Sequence, residues 1–416
     1  MSDRSEHSIS RRTALSGLIG GAGALAFRSD GQDSDGQGQN VERPEDTTRV
    51  PGEPARPIGQ RSPFETPHRI VSTSPGGVSR SPLQDFRGII TPSDLHYERH
   101  HAGIPAIDPS RYSLLIHGMV ERPTVFTLDD LKRFPSVSRV HFLECSGNGS
   151  PGLRGAPPAN RTPQEIDGLV STSEWTGVPL ATLFNEVGVR ANASWFLAEG
   201  MDAGAMGRSI PLEKGWDDAL IAYGQNGEAI RPEQGYPARL LVPGYEGSAN
   251  VKWIRRMELS DQPFMTRNET SKYTDPLKGE RTRMFSLVMD AKSLITYPSF
   301  PVRLNERGWH GITGVAWSGR GRIARVEISV DRGETWRDAL LQEPILSKCF
   351  TRFQLMWQWQ GETTVLMSRA TDETGYVQPT AAALREARGV GTRYHYNHIR
   401  AWTVSQDGTV EFGVRV

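Results

Sequence analysis

The chain has 416 residues and carries 48 basic and 48 acidic side chains, so its formal net charge at pH 7 is zero. There is no basic excess of the kind that nucleic-acid binding requires, and no nucleic-acid partner is expected. The length allows two or three domains, and 43 glycines with 28 prolines predict a turn-rich, β-rich chain. After the N-terminus no apolar run approaches the length of a transmembrane helix, so we expect no membrane span in the mature chain.

The N-terminal segment, residues 1–28, predicts a twin-arginine export signal. Residues 10–15 read Ser-Arg-Arg-Thr-Ala-Leu, and a mildly apolar run over residues 18–27 follows them. The alternative is a chance arginine pair in a disordered tail. Export by this route would place the protein in the periplasm. Residues 29–81 are rich in Gly, Gln, Asp, Ser, Pro and Arg, and they predict a disordered or extended linker.

The next region, residues 82–275, mixes strand and short-helix patterns irregularly. A strand is predicted over residues 111–118. A short helix follows over residues 126–134, with Thr127 as its N-cap. The apolar run at residues 140–143 predicts a buried strand. The region therefore predicts an irregular α+β domain.

The character of the sequence changes near residue 280. Residues 323–330 alternate apolar and polar side chains, as a half-buried strand does, and the turn at residues 331–333 predicts a hairpin whose second strand begins at Glu334. Three further strands are predicted at residues 353–360, 363–369 and 399–404. Several short strands separated by turns predict an immunoglobulin-like β-sandwich over residues 280–416.

A lone cysteine, Cys145, stands where the strand at residues 140–143 gives way to a Gly-rich turn. A thiolate in this position can act as a nucleophile or as a metal ligand, and the glycines let backbone N–H groups approach a ligand. The alternative is a small buried apolar residue. The only other cysteine is Cys349. Because it falls in the other predicted domain, we expect a packing role for it and no disulfide.

Three further stretches carry chemically useful side chains: residues 99–101 (Arg-His-His), the loop at residues 244–252, which ends in Lys252, and Tyr273. A thiolate, cationic side chains and Gly-rich backbone together suit an anionic, phosphate-bearing metal cofactor. Each stretch alone also has a non-functional interpretation: a solvated histidine pair, a surface lysine or a tyrosine that only packs.

Several motifs resemble those of the sulfite oxidase family. The Glu-Cys-x-Gly-Asn core of residues 142–148 resembles its cofactor-cysteine motif, and the segments that resemble its other motifs are residues 97–101, residues 250–253, Tyr273 and residues 376–379. The resemblance spans residues 82–416 in order. The segments that look most like the sulfane dehydrogenase branch, which belongs to thiosulfate-oxidising Sox systems, are residues 231–237, 269–275 and 372–379.

This resemblance implies a molybdenum ion held by molybdopterin and by the thiolate of Cys145 as its one protein metal ligand. It implies a substrate-facing pair, Arg99 and Tyr273, as catalytic residues. The residues implied to bind the cofactor are Arg99, His101, Cys145, Ser248, Asn250 and Lys252. It also implies a homodimer formed through the C-terminal domain.

The implied reaction is the oxidation of a sulfur compound by oxygen-atom transfer. The substrate would be sulfane sulfur on a carrier protein or, alternatively, free sulfite. Animal sulfite oxidases carry an arginine where this chain has Ser150, and a tryptophan that residues 150–170 lack. One cation fewer favours the sulfane branch. Because no Cys-x-x-Cys-His motif occurs, electrons would leave to a separate cytochrome c.

Three alternatives remain at this point, two from other classes of protein and a third within the molybdenum enzymes. A copper electron carrier could use one cysteine and two histidines, but no methionine stands near a cysteine in the usual way. A non-enzymatic exported binding protein would leave the ordered set of motifs unexplained. A protein-methionine-sulfoxide reductase would resemble the N-terminal domain alone.

Overall fold

The protein, obtained as a computed structural model, is built mainly from β-strands. The structure describes residues 51–72, 76–150, 153, 158–277, 281–389 and 391–415. The predicted export signal and much of the predicted linker lie outside these residues. Residues 61–416 form one compact unit; of the other unit, residues 1–60, the described part is residues 51–60, which hold no helix or strand. Within the described chain, no helix has the length and apolar character needed to cross a membrane.

The described residues form six α-helices: α1 (Leu128–Arg133), α2 (Pro163–Asp167), α3 (Leu180–Val187), α4 (Leu212–Asp217), α5 (Arg267–Ser271) and α6 (Ala381–Arg388). The strands of the first half are β1 (Ile70–Ser72), β2 (Val78–Arg80), β3 (Glu98–Arg99), β4 (Ser113–Gly118), β5 (Thr124–Thr127), β6 (Val137–Glu144), β7 (Val170–Pro179), β8 (Trp195–Gly200), β9 (Gly207–Pro211), β10 (Leu220–Gln225), β11 (Glu228–Ala229), β12 (Arg239–Leu241), β13 (Ile254–Ser260), β14 (Asp275–Pro276) and β15 (Thr282–Arg283). The strands of the second half are β16 (Lys292–Tyr297), β17 (Gly308–Trp317), β18 (Ile323–Ser329), β19 (Arg337–Asp338), β20 (Leu340–Gln342), β21 (Thr351–Trp359), β22 (Thr364–Asp372), β23 (Ala401–Val404) and β24 (Val410–Phe412).

Helix α1 shows how local sequence sets an element's start. The Thr127 hydroxyl accepts a hydrogen bond from the Asp130 amide at 3.1 Å, and the Asp130 carboxylate accepts one from the Thr127 amide at 3.0 Å. This reciprocal cap satisfies two helix N-terminal donors. The predicted helix with Thr127 as its N-cap is confirmed.

The first half of the compact unit is built mainly on two five-stranded sheets, beside the smaller sheets β1-β2-β3 and β14-β15. One has the order β11-β10-β7-β6, with β12 paired to β10; the other has the order β5-β4-β13-β8-β9. Strand β6 runs antiparallel to β7, with Glu144 opposite Val170, so the strand that precedes Cys145 is hydrogen-bonded along one whole edge. The predicted buried strand before Cys145 is therefore confirmed.

Two further sheets form the sandwich, a name we use for the strands β16–β24. Their orders are β16-β17-β21-β20 and β19-β18-β22-β23-β24. The α+β fold class, with an immunoglobulin-like sandwich in the second half, is confirmed. One detail differs, because the hairpin's return strand begins at Arg337 instead of Glu334.

The two halves share a hydrophobic core. Phe142 of β6 and Val170 of β7 belong to the same buried cluster as Leu294 and Trp317 of the sandwich. All four side chains are fully buried. Strands β1 and β2 arise within the stretch predicted to be an extended linker. They pair with each other, and β2 also pairs with β3, where Val78 lies opposite Arg99.

Candidate active site

The turn that carries Cys145 is fixed by backbone hydrogen bonds. The Cys145 amide donates to the Leu169 carbonyl at 2.9 Å, and the Asn148 amide donates back to the Cys145 carbonyl at 2.9 Å. Gly149 closes the turn with φ +87°, a conformation that side chains other than glycine rarely adopt. The turn therefore holds the thiol at one position at the end of β6.

Cys145 lines a pocket in which the structure brings together every site residue predicted from the sequence. The predicted residues in its wall are Arg99, His101, Cys145, Ser248, Asn250, Lys252 and Tyr273. They come from four separate segments of the chain. The pocket has about 670 Å³ of atom-free space, its open mouth included. Burial raises the pKa of the Cys145 thiol above its ordinary value, so the free thiol favours its neutral form.

Lys252 is a cation whose hydrogen-bond partners are neutral groups. Its Nζ donates to the carbonyls of Glu233 at 3.0 Å and Arg99 at 3.3 Å, and it lies 2.7 Å from the Nδ1 of His100. Burial, together with the nearby charge of Arg239, lowers the pKa of Lys252 well below its ordinary value. A bound anion would offset both effects, because it would favour the protonated amine.

Arg239 is a second cation of the same pocket, and sequence reasoning missed it. It is buried, and its guanidinium donates to the carbonyls of Gln234 at 2.8 Å and Asn250 at 2.9 Å. Its Nε has no hydrogen-bond partner, and burial lowers the pKa of Arg239 to about 10. The signal was an arginine inside the otherwise apolar strand β12, which is an expensive place for a charge without a partner.

Tyr273 forms another part of the pocket wall. Its hydroxyl lies 3.2 Å from the Nε2 of His101, and the guanidinium carbon of Arg208 lies 4.6 Å from the ring centroid. The ring of Tyr394 packs at 5.3 Å between centroids. Burial raises the pKa of Tyr273, so its hydroxyl remains a hydrogen-bond donor at neutral pH.

The loop at residues 244–252 is braced by its own side chains. Asn250 Oδ1 accepts from the Val242 amide at 2.6 Å, and its Nδ2 donates to the Glu246 carbonyl at 3.1 Å. The Ser248 hydroxyl accepts a hydrogen bond from Arg208. The side chain of Asn250 thus stabilises the loop, and Asn250 and Ser248 both line the pocket. Cofactor contact by Ser248 and Asn250 stays a prediction.

The residues of this pocket fit a phosphate-bearing cofactor with a metal bound to Cys145. The hydrogen bonds of Lys252 and Arg239 among the described residues go to neutral groups, which leaves room for an anion to balance them. The buried Ser146 hydroxyl also has no partner in the described protein. At Gly247 a Cβ would lie 2.7 Å from the Tyr97 hydroxyl, so this position admits backbone alone.

A strand–turn thiol that faces buried cations defines, with this fold, a molybdopterin-dependent oxidoreductase. Residues 101–268 match the family model described as oxidoreductase molybdopterin binding domain, and residues 283–401 match that of the Mo-co oxidoreductase dimerisation domain. The chain is 30% identical over 389 residues to the mitochondrial sulfite oxidase of Rattus norvegicus, covering 86% of this chain and 70% of that protein. The chain belongs to the sulfite oxidase family.

Other similar proteins extend this comparison. The mitochondrial sulfite oxidase of Mus musculus is 30% identical, with 80% of this chain matching 65% of that protein. Nitrate reductase [NADH] 2 of Phaseolus vulgaris is 31% identical, and the chain spans 37% of its length. The crystal structure of the sulfane dehydrogenase SoxCD from Paracoccus pantotrophus superposes with a TM-score of 0.85 at 42% identity, covering 90% of this chain and 97% of that one.

Proposed function

We propose that this protein oxidises a reduced sulfur compound, with sulfane sulfur on a carrier protein as its substrate. The observation that carries the proposal is the pocket that Cys145 shares with Lys252 and Arg239, two cations whose hydrogen bonds go to neutral groups. The 42% identity to a sulfane dehydrogenase, over nearly the whole of that chain, supports the substrate class. When bound, the molybdenum cofactor supplies two-electron oxygen-atom transfer to sulfur.

The residues of the chain take distinct parts in this proposal. Cys145 would ligate the metal as a thiolate, since metal binding favours the deprotonated form of a thiol. Lys252 and Arg239 would hold the cofactor's phosphate, as cations with several donors do. Arg99 and Tyr273 would orient the anionic sulfur group, one by its charge and the other by its hydroxyl.

A second candidate is free sulfite, favoured by the identity of 30% to two sulfite oxidases. The discriminating experiment is a steady-state assay of purified, molybdenum-loaded protein with sulfite and oxidised cytochrome c. Low sulfite turnover at full molybdenum content is the expected result and supports a carrier-bound substrate. Efficient turnover of sulfite by the isolated chain would overturn that choice and establish the second candidate.

Two variants test the assigned residues in the same assay. Cys145→Ser should abolish turnover while the far-ultraviolet circular dichroism stays unchanged, and substantial remaining activity would refute the role of metal ligand. Arg99→Met should raise KM about tenfold and change kcat little, because a charge that binds ground and transition states equally is lost. An unaltered KM would count against its placement beside the substrate.

The same proposal includes electron transfer to a cytochrome c and assembly of two copies through the sandwich. Large apolar side chains are exposed on the sheet β16-β17-β21-β20, and the three most exposed are Trp309 at 65%, Leu340 at 64% and Met356 at 57%. Gln354 and Gln358 lie exposed beside them. Light scattering should report a dimer, and Met356→Glu should yield monomers, whereas Val125→Glu, equally exposed on the other half at 57%, should not.

Export to the periplasm also belongs to this proposal. The support is the Ser-Arg-Arg-Thr-Ala-Leu pattern of residues 10–15 and the apolar run behind it, which lie outside the described residues. Changing Arg11 and Arg12 together to lysine should leave the protein in the cytoplasm of the cells that make it. Undiminished periplasmic accumulation would contradict the signal.

A further inference from the structure

The turn that carries Cys145 is contacted by the sandwich at several points. We call residues 144–149 the cysteine turn. At its first residue, the buried Glu144 carboxylate accepts from Lys292 Nζ at 3.1 Å and from Trp317 Nε1 at 2.7 Å. Both donors belong to the sandwich, on β16 and β17. The residue before the thiol is thus anchored by the other half of the protein.

The last residue of the cysteine turn is held from the same side. Arg400, directly before β23, donates from Nη2 to the Gly149 carbonyl at 3.1 Å. A Cβ at Gly149 would lie 2.1 Å from that Nη2 and 2.9 Å from Lys292 Nζ. The packing leaves no room for a side chain here, so the cations fix where the turn's backbone runs.

Asp167 joins the two cations into one cluster. Its carboxylate lies 2.5 Å from Lys292 Nζ and 3.0 Å from Arg400 Nε. Burial alone would raise the pKa of Asp167, but the charges of Arg400 and Lys292 outweigh that effect and hold it at about 2. With Glu144, two carboxylates face two cations, and no member is more than 3% exposed.

The middle of the cysteine turn has its own contact with the sandwich half. The amide of His395 donates to the Ser146 carbonyl at 2.8 Å, directly after the thiol-bearing residue. Asn148 links the turn internally, since its Nδ2 donates to Glu144 Oε1 at 2.9 Å. Ser146, Asn148 and Gly149 of the cysteine turn are therefore each hydrogen-bonded to a buried residue.

A buried ion cluster of this size is not explained by stability. Replacing such charges by apolar side chains of similar volume is often neutral or stabilising, because desolvation offsets much of the attraction. Directed hydrogen bonds add a defined geometry. Here they fix Glu144 and Gly149, on either side of the candidate metal ligand Cys145.

We propose that the cluster of Glu144, Asp167, Lys292 and Arg400 positions the Cys145 thiolate, so that the sandwich is a working part of the active site. Lys292 and Arg400 are positioning residues, because they act through the cysteine turn and do not line the pocket. This inference rests on the proposed function for its catalytic meaning. The mechanical part, a turn held rigid from the sandwich, stands without it.

The test compares the holoprotein with Lys292→Met, which keeps the stem and removes the charge. Hydrogen exchange of the amides of Cys145 and Asn148 should accelerate about tenfold, since charged hydrogen bonds that anchor the turn are lost. The metal–thiolate absorption band should shift or weaken per molybdenum bound. The value of kcat should fall about tenfold with KM unchanged, because the residues that bind substrate are not altered. Lys292→Arg should restore part of each.

Two further variants make the result decisive. Glu327→Gln disturbs another ion pair of the sandwich, between the buried Glu327 and the half-buried Arg369 at 2.7 Å. It should leave exchange in the cysteine turn and the absorption band unchanged. Trp317→Phe removes one donor to Glu144 and no charge, and gives the same readouts in milder form if Lys292→Met does not fold. Wild-type exchange and absorption in folded Lys292→Met, or equal changes in Glu327→Gln, would overturn the proposal. A wild-type protein without molybdenum would instead refute the proposed function, while the exchange result would still decide the inference.

Discussion

Two cations in the pocket wall, the half-buried Lys252 and the buried Arg239, give the pocket its electrostatic character. Burial lowers the pKa of both side chains, and the charge of Arg239 lowers the pKa of Lys252 further. Like charges in a medium of low dielectric repel strongly, so an arrangement of this kind persists where a bound anion completes it. The pocket is therefore prepared for a ligand that carries negative charge, and phosphate suits the planar donors of arginine.

Arg239→Gln should release the cofactor. Glutamine keeps a donor near the Gln234 carbonyl but removes the charge that attracts phosphate, so the molybdenum content of the purified protein should fall about tenfold. Metal analysis of protein purified in parallel provides the measurement. Arg231→Gln serves as the control, since Arg231 is an exposed residue paired with Glu228 at 3.0 Å. Equal molybdenum in both variants would contradict the role of Arg239.

At this scale, sequence motifs predicted seven residues that the structure places in one pocket. They could be found because each stands in a short segment with a distinctive neighbour, such as the glycine after Ser146. Arg239 was missed because its partners are backbone carbonyls, which leave no residue pattern. Its position in an apolar strand was the one available sign.

Among the elements, the segment at residues 391–398 has an unexpected place in the site. It holds no helix or strand in its described residues, and it brings Tyr394 against the ring of Tyr273. The His395 ring lies 3.5 Å from Glu246, which in turn pairs with Arg208 at 2.7 Å. The segment thus supports the ring of Tyr273 from a region predicted to be sandwich alone.

Tyr394→Ala should impair the use of substrate by leaving the ring of Tyr273 free to turn. An aromatic pair contributes about 1 kcal/mol beyond burial, so we expect kcat/KM to fall about fivefold. Tyr394→Phe keeps the ring contact and should retain wild-type kcat/KM. Steady-state kinetics of the two variants side by side decide the matter, and a loss of equal size in both would assign the effect to the hydroxyl instead of the ring.

Local sequence patterns predicted most of the strands and helices. They misplaced a strand's first residue where side-chain hydrogen bonds extend the preceding turn. The strand at residues 323–329 and the cap of α1 depend on alternation and on one threonine, and both are present. The return strand begins late because Asp331 Oδ1 accepts from the Thr335 amide at 2.9 Å, which extends the turn beyond Glu334. Contacts of that kind depend on rotamers, which a residue pattern does not specify.

In the whole molecule, the boundary between the two halves is a core and not a linker. Phe142 and Val170 pack in one cluster with Leu294 and Trp317, and the buried ion cluster lies beside them. The sequence changes in character near residue 280, and that change predicted a mixed α+β half followed by a β-sandwich. It did not reveal that the two halves share a core. A contact between residues far apart in sequence carries no periodicity, so it becomes visible only in the folded chain.

This shared interface makes stability sensitive to acid. The pKa of Asp167 is about 2 in the folded protein, below its ordinary 3.8. Because the pKa is depressed, the carboxylate stabilises the fold fully at pH values above its ordinary pKa. This contribution is lost as the pH falls from about 4 towards 2. The difference corresponds to about 2 kcal/mol of the free energy of unfolding. The contribution is therefore complete at pH 7 and mostly absent at pH 2.

Asp167→Asn should consequently cost stability at pH 7 and cost about 2 kcal/mol less at pH 2, because the wild-type protein has by then lost the same charge. Urea unfolding of both proteins between pH 2 and pH 7 measures the difference. Asp261→Asn, on an exposed turn, should show no such pH dependence. A deficit for Asp167→Asn that stays constant across this range would mean that Lys292 and Arg400 do not hold Asp167 ionised, and it would remove the charge balance on which the positioning of the cysteine turn depends.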